Sequence, residues 1–346
     1  MSRVDVRLLE PADEADYTAL VGRAPGSPFS HTWPYRKALA AGGYGLPMYF
    51  GGFIAGRMEA ALPAFVLRSE LGGVLNSLPL AQSAGDVIVD EALPQDEGHI
   101  IAHELRQAVL QYAAANAIDV CVFIAPPFAS PAHDQAQPAD FSVLRATHVL
   151  DLSQPLQLHH AAREAVRKAQ KATPTAHVAQ TATQARAVWQ LYAESMGQLN
   201  VVPRAWPFYE RLFIEAPDQA RFVWCELDGT PTSGLLLLNH SGVVDYHFVG
   251  NTALGRTHQT NSWLCLHELQ HAQSRGARWW NWGASPTPAV ADFKRRWGGT
   301  DITYALRGYC TGDVSPWRRL PPAALARHFP DYYVLPYSWL TEPEAP

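Results

Sequence analysis

The sequence predicts an α/β protein of two tandem units, each a mixed, largely antiparallel sheet flanked by helices. Three observations predict it. The chain has 346 residues, enough for two domains of ordinary size. Hydrophobic residues make up 47% and charged residues 17%, the balance of a folded chain with ample core. An order of meander, helix and strand runs twice along the chain, and His103-Glu-Leu-Arg-Gln-Ala108 in the first half is echoed by His267-Glu-Leu-Gln-His-Ala272 in the second. Domains over 1–146 and 147–320 follow, with 321–346 as a C-terminal tail.

Each element has a local reason. Alternating apolar residues predict a strand over 4–9, followed by a helix over 14–21 and a Pro/Gly loop over 25–28. A helix over 33–41 is stopped by Gly42-Gly43. Strands over 48–53, 58–68 and 73–77 form the first meander. Ile100, Leu105, Val109, Leu110 and Ala113 give 100–116 an apolar helical face, and the strand over 120–124 stops at Pro126-Pro127. Residues 126–138, rich in Pro, Ala, Ser and Gln, read as a surface loop or linker. The second half continues with a strand over 147–152 and helices over 161–171, 185–199 and 206–214. A second meander spans 222–227, 233–239 and 243–249, turning at Asp228-Gly229. A helix over 263–274 ends at Gly276, before a strand over 279–282.

Composition excludes several function classes. The net charge of −5 carries no signature of a DNA-binding protein, so contact with RNA phosphates would need local basic patches. The four cysteines are widely spaced and form no C-x-x-C, which fits a reducing compartment. No secretory leader is read at the N-terminus, and no apolar run approaches the roughly 20 residues of a membrane span. A cytoplasmic location is expected.

Four groups of residues could carry chemistry. His267-Glu268-Leu269-Gln270-His271 matches H-E-x-x-H, the pattern that sets two zinc ligands and a general base on one helix face. No glutamate follows Glu268 until Glu342 to serve as third ligand, and a helix with half-buried histidines explains the pattern as well. Phe293-Lys294-Arg295-Arg296-Trp297-Gly298-Gly299 could set a cation over a bound acyl or phosphate group, or be a solvated basic turn. Arg163, Arg167, Lys168 and Lys171 form a stripe able to meet phosphates, or a solvated helix face. Trp33 and Lys37, with Ser77, Pro79, Gly85 and Asp86, are by themselves ordinary turn and helix-start residues. A Ser-His-Asp triad stays open, without a G-x-S-x-G elbow to support it. Kinase and dinucleotide motifs are absent.

In order along the chain, these segments resemble the Fem family of peptidoglycan-bridge aminoacyltransferases and their relatives with the GNAT-like acyltransferase fold. The resemblance rests on Trp33 and Lys37, then Ser77, Pro79, Gly85 and Asp86, then Arg163, Arg167, Lys168 and Lys171. It continues through Arg204 with Phe208 and Tyr209, then Tyr246, and ends at Phe293, Lys294, Trp297 and Gly298. It implies two GNAT-like domains and transfer of an amino acid from aminoacyl-tRNA to an amine of a peptidoglycan precursor, with no cofactor. It also implies catalytic roles for Lys294 and Phe293, with Asp86 as a base near the acceptor amine. Lys37 and Arg204 would hold the diphosphate of a nucleotide-linked acceptor, with Trp33, Tyr209 and Tyr246 lining the substrate site. Acetyl-CoA is the weaker donor, because Gly255-Arg-Thr-His-Gln-Thr-Asn261 lacks the second glycine of a pyrophosphate turn. A zinc hydrolase using His267, Glu268 and His271, and a binding protein that kept the fold without the chemistry, are the alternatives.

Overall fold

The computed structural model describes residues 4–24, 26–80, 84–128, 138–285 and 287–341. Most of the expected linker over 126–138, Pro25 of the expected loop and Glu342 lie outside them. Strands in chain order are β1 (Val4–Leu8), β2 (Leu46–Pro47), β3 (Phe50–Ile54), β4 (Arg57–Leu62), β5 (Phe65–Ser69), β6 (Gly72–Asn76), β7 (Ile88–Val89), β8 (Val120–Ile124), β9 (Phe141–Asp151), β10 (Thr175–Val178), β11 (Ala220–Leu227), β12 (Thr230–His240), β13 (Val243–Asn251), β14 (Trp279–Ala284) and β15 (Thr300–Cys310). Helices are α1 (Glu14–Gly22), α2 (Trp33–Ala41), α3 (Gln95–Ala115), α4 (His160–Gln170), α5 (Ala182–Gln198), α6 (Trp206–Glu215), α7 (Ala253–His258), α8 (Thr260–Ser274), α9 (Pro288–Arg296) and α10 (Pro322–His328). The strand expected over 58–68 is two, because Pro63 cannot donate to a ladder.

The chain folds as two compact units, one of residues 1–145 with 303–346 and one of 146–302. In the first, β1, β3, β4 and β7 form an antiparallel sheet, and Leu105 and Val109 of α3 pack into a core with Ala60, Leu62 and Phe123. β2, β5 and β6 follow in order, β6 runs parallel to β8, and the 306–310 part of β15 pairs antiparallel with β8. A separate core joins Val74, Val120 and Val122 to Trp317, Leu325 and Phe329, so residues 314–340 belong to this unit's interior.

The second unit holds β10, β11, β12 and β13 in antiparallel order. β14 lies parallel to β13 and antiparallel to residues 147–151 of β9. Alternation along β11 and β12 sends Val223, Cys225, Leu235 and Leu237 into a core with Leu264, Cys265 and Leu269 of α8 and Val166 of α4. Phe222 and Phe248 meet the rings of α5 and α6. The basic segment after β14 is the end of a helix, α9, capped by Thr287, whose hydroxyl accepts from Val290 N. Among the described residues no helix is long and apolar enough to cross a membrane.

Candidate active site

The most unusual backbone feature of the second unit is where β13 and β14 part. They pair only at Val243–Trp279, Val244–Trp280 and Asp245–Asn281, although β13 runs on to Asn251 and β14 to Ala284. Asn281 brackets the point of divergence. Its Nδ2 donates to Asp245 Oδ1 at 2.8 Å, and its Oδ1 accepts from Thr147 Oγ1 at 2.7 Å and from Gly283 N at 3.0 Å. On the other edge of β13 the register with β12 slips between Leu236–Phe248 and Leu237–Tyr246, leaving His247 as a bulged residue. The bulge breaks the two-residue alternation, so His247 and Phe248 both turn to rings of α5 and α6.

Lys294 sits at the end of β14. It is 5% exposed, and its Nζ donates to Gly283 O at 2.7 Å and Ala284 O at 2.6 Å. Burial holds its pKa down to about 8. These two bonds take two of the ammonium's three N–H groups. Trp282 ties the neighbourhood together, with Tyr246 at 5.1 Å, Phe293 at 5.9 Å and Trp297 at 6.0 Å between ring centroids. His247 Nε2 and Trp282 Nε1, on the two parted strands, are buried without a hydrogen-bond partner. Burial, with the Arg204 charge behind it, keeps the His247 imidazole far below its usual pKa and therefore neutral.

Of the residues expected from sequence, Tyr246, Phe293 and Lys294 gather here around Trp282 and the end of β14. Tyr209 packs on His247 at 5.9 Å, and Arg204 acts on the same ring electrostatically. Trp33, Lys37 and Asp86 belong to the first unit. Trp33 is 2% exposed and stacks under the Arg36 guanidinium at 4.3 Å, while Lys37 Nζ bonds Glu14 Oε1 at 3.1 Å. Asp86 was expected as a base near the acceptor amine. It is 1% exposed, and its Oδ1 accepts from Arg106 Nε at 2.9 Å and Val87 N at 2.8 Å, so the carboxylate is committed inside the unit.

The H-E-x-x-H segment falls on α8. Glu268 is buried and its carboxylate is taken by Arg221, at 2.7 and 3.3 Å, with His267 Nδ1 at 2.9 Å. His267 stacks on Trp263, and no group of three His, Cys, Asp or Glu side chains able to hold a metal forms among the described residues. A cleft of about 510 Å³ opens beside this ion pair, lined also by His271, Arg275 and Asn239. Among the described residues the geometry gives a hydrolytic metal centre no third ligand, and Glu268 is already paired.

Sequence reasoning missed Asn281, His247 and the pair of His148 with Ser285, whose Nδ1 and Oγ are 3.1 Å apart. Only the Gly283-Ala-Ser285 break after an aromatic strand hinted that a backbone turn was needed there.

Residues 158–295 match the family described as acetyltransferase (GNAT) domain. A crystal structure of FemX superposes with a TM-score of 0.66 at 11% identity, covering 87% of this chain and 96% of that one. The chain has the Fem-type GNAT acyltransferase fold. L-PGS from Bacillus licheniformis matches with a TM-score of 0.56 at 13% identity, over 94% of this chain and 98% of that one. A tandem GNAT protein from the clavulanic acid biosynthesis pathway matches at 0.50 and 10% identity, over 90% and 99%. No curated protein matches the sequence significantly. The chemistry the GNAT domain supports for this chain is acyl transfer.

Proposed function

We propose that this protein is a cytoplasmic aminoacyltransferase that moves an amino acid from aminoacyl-tRNA to an amine of a peptidoglycan precursor. The observation that carries the reading is the gap between β13 and β14, with Lys294 at its end. An ester carbonyl entering this gap would meet a cation where its oxyanion develops. Phe293 and Tyr246 hold Trp282, and through it the wall of the gap, in one arrangement.

Bonds made by the amides of α7 and of Ser262 and Trp263 in α8 support a donor other than coenzyme A. The amide of Gly255 donates to Thr252 Oγ1, that of Arg256 to Thr252 O, and those of Ser262 and Trp263 to Gln259 O. Amides satisfied internally are not available to a pyrophosphate. The likeness to FemX over nearly both full lengths supports the peptidoglycan acceptor. In this reading Arg204 with Tyr209 in the second unit, and Lys37 with Trp33 in the first, are each phosphate-binding residues for the acceptor.

The test is an assay of the purified protein with a charged tRNA pool and a nucleotide-linked muropeptide, read by mass spectrometry. Addition of one amino acid to the peptide is the expected result. Transfer from acetyl-CoA, with none from aminoacyl-tRNA, would overturn the donor and leave an acetyltransferase.

A further inference from the structure

We propose that the cleft beside the Arg221–Glu268 pair is a second ligand site of the second unit, suited to a small apolar zwitterion, an amino acid or dipeptide with both a carboxylate and an ammonium group. This goes beyond the acyl-transfer reading, and Tyr246, Trp282, Phe293 and Lys294 are not among the residues that line the cleft. The cleft measures about 510 Å³ and is lined by the start of β11, the end of β12 and the last turns of α8. That is the size range of small-molecule sites. Val178, Phe213, Leu237, Val244 and Ala272 make its apolar wall.

The H-E-x-x-H segment supplies the polar wall. His271, Ala272 and Arg275 follow Glu268 at three, four and seven residues, so they share one face of α8 and its C-cap. The Glu268 carboxylate accepts from Arg221 Nε at 2.7 Å and Nη2 at 3.3 Å. This pairing fixes the guanidinium, spends two of its five N–H groups and cancels its charge. Burial holds the His271 pKa down, and the charges of Arg221 and Arg275 act in the same direction, so both guanidinium groups lie near the ring. The imidazole is neutral at neutral pH and adds a hydrogen-bonding group to the cleft without adding a charge.

The remaining charges select the ligand. With Arg221 and Glu268 cancelled, Arg275 and Asp218 are the charged residues left in the lining. Both are exposed, and neither side chain is in an ion pair or hydrogen bond among the described residues. The Arg275 fork fits a carboxylate, and the Asp218 carboxylate fits an ammonium group. A simple anion would be opposed by Asp218 and a simple cation by Arg275. A molecule carrying both charges satisfies both residues, and its apolar side chains cover the wall of Leu237 and Val244.

Isothermal titration of the full chain with L-leucine and L-leucyl-L-leucine tests this without any turnover. Saturable binding of at least one of them is expected. Its deaminated and its amidated analogues, each lacking one charge, should bind about tenfold or more weakly, the scale of one lost charge-assisted hydrogen bond. Arg275→Ala should weaken the zwitterion by a similar factor. Asp218→Asn should weaken the zwitterion but not the deaminated analogue. Both positions are exposed, so thermal melts close to wild type should accompany these losses. No saturable binding of either zwitterion, equal binding of the deaminated analogue by wild type, or undiminished binding by a folded Arg275→Ala overturns the proposal. A failed titration leaves the transferase reading standing, and a failed transferase assay leaves this site standing.

Discussion

At the scale of single residues, the site depends on charges kept out of water. Lys294 reads from sequence as part of a basic run, Lys294-Arg295-Arg296, and such runs are commonly solvated. Nothing local says that one of the three turns inward. Its two carbonyl partners come from Gly283 and Ala284, on the strand before α9. Lys294→Met should lower turnover by about 10²-fold or more, the cost of removing one oxyanion donor. A thermal melt close to wild type would assign that loss to chemistry, and unchanged turnover would remove Lys294 from the mechanism. Deprotonation removes the positive charge and the third N–H, so wild-type turnover should fall as pH rises through about 8, and this fall should be absent in the methionine variant. Asp86 is the opposite case. Its turn-like context suggests an available carboxylate, but its partner Arg106 sits 20 residues on, on α3. Asp86→Asn keeps a residue tolerant of the left-handed backbone at φ 60°, yet removes the carboxylate charge that faces the 3%-exposed Arg106 guanidinium. A loss of about 3–5 kcal/mol in denaturant unfolding is expected, and a loss below 1 kcal/mol would show the pair to be dispensable.

At the scale of elements, what the sequence disclosed was what repeats at short range. The alternating apolar residues of β11, β12 and β13 and the apolar stripe of α3 have a period that can be counted. The parting of β13 from β14 and the bulge at His247 have none, because they follow from which strands meet. Neither the Asn281 bracket nor the His148–Ser285 contact has a local pattern, since each joins strands far apart in the chain. Glycine was the clue left unused. Gly250 lies on β13 just past the bulge, and a Cβ there would come within 2.3 Å of the α5 backbone at Leu191 and Tyr192. The bare backbone lets α5 lie against the strand, where Asn251 N donates to Ser195 Oγ at 2.8 Å. Gly250→Ala must therefore push α5 outward. We expect a stability loss of about 1–3 kcal/mol, as for overpacking elsewhere. Loss of amide exchange protection at Asn251 should accompany it, and an unchanged exchange pattern would show that α5 is not held by this contact.

At the scale of the whole molecule, the expected duplication was visible as an order of elements. The way the chain returns to its first unit was not, because a strand does not announce its partner. Residues 303–346 belong with 1–145, and the 306–310 part of β15 pairs with β8 residue for residue, from Leu306–Ile124 to Cys310–Val120. Beyond that strand, the sequence reads 321–346 as a C-terminal tail, yet Val314, Trp317, Leu325, Phe329, Val334 and Leu335 are all buried. Trp317 Nε1 donates to Leu71 O at 3.1 Å, and Tyr332 hydroxyl to Tyr44 O at 2.7 Å, so the segment is fastened by polar bonds as well. Ending the chain after Asp313 would bare Val74, Val120 and Val122, which face this segment. Each of the six buried side chains removed contributes about 1.5–3 kcal/mol on burial, and the sum rivals the whole stability of an ordinary domain. The truncated protein should therefore lose the cooperative melt of its first unit, while the continuous segment 146–302 retains its own core around Trp280 and Trp282. Limited proteolysis reads the difference. Rapid cleavage within 1–145 alongside a resistant fragment near 146–302 is the expected pattern, and uniform resistance across the truncated chain would show that residues 314–346 are a dispensable tail.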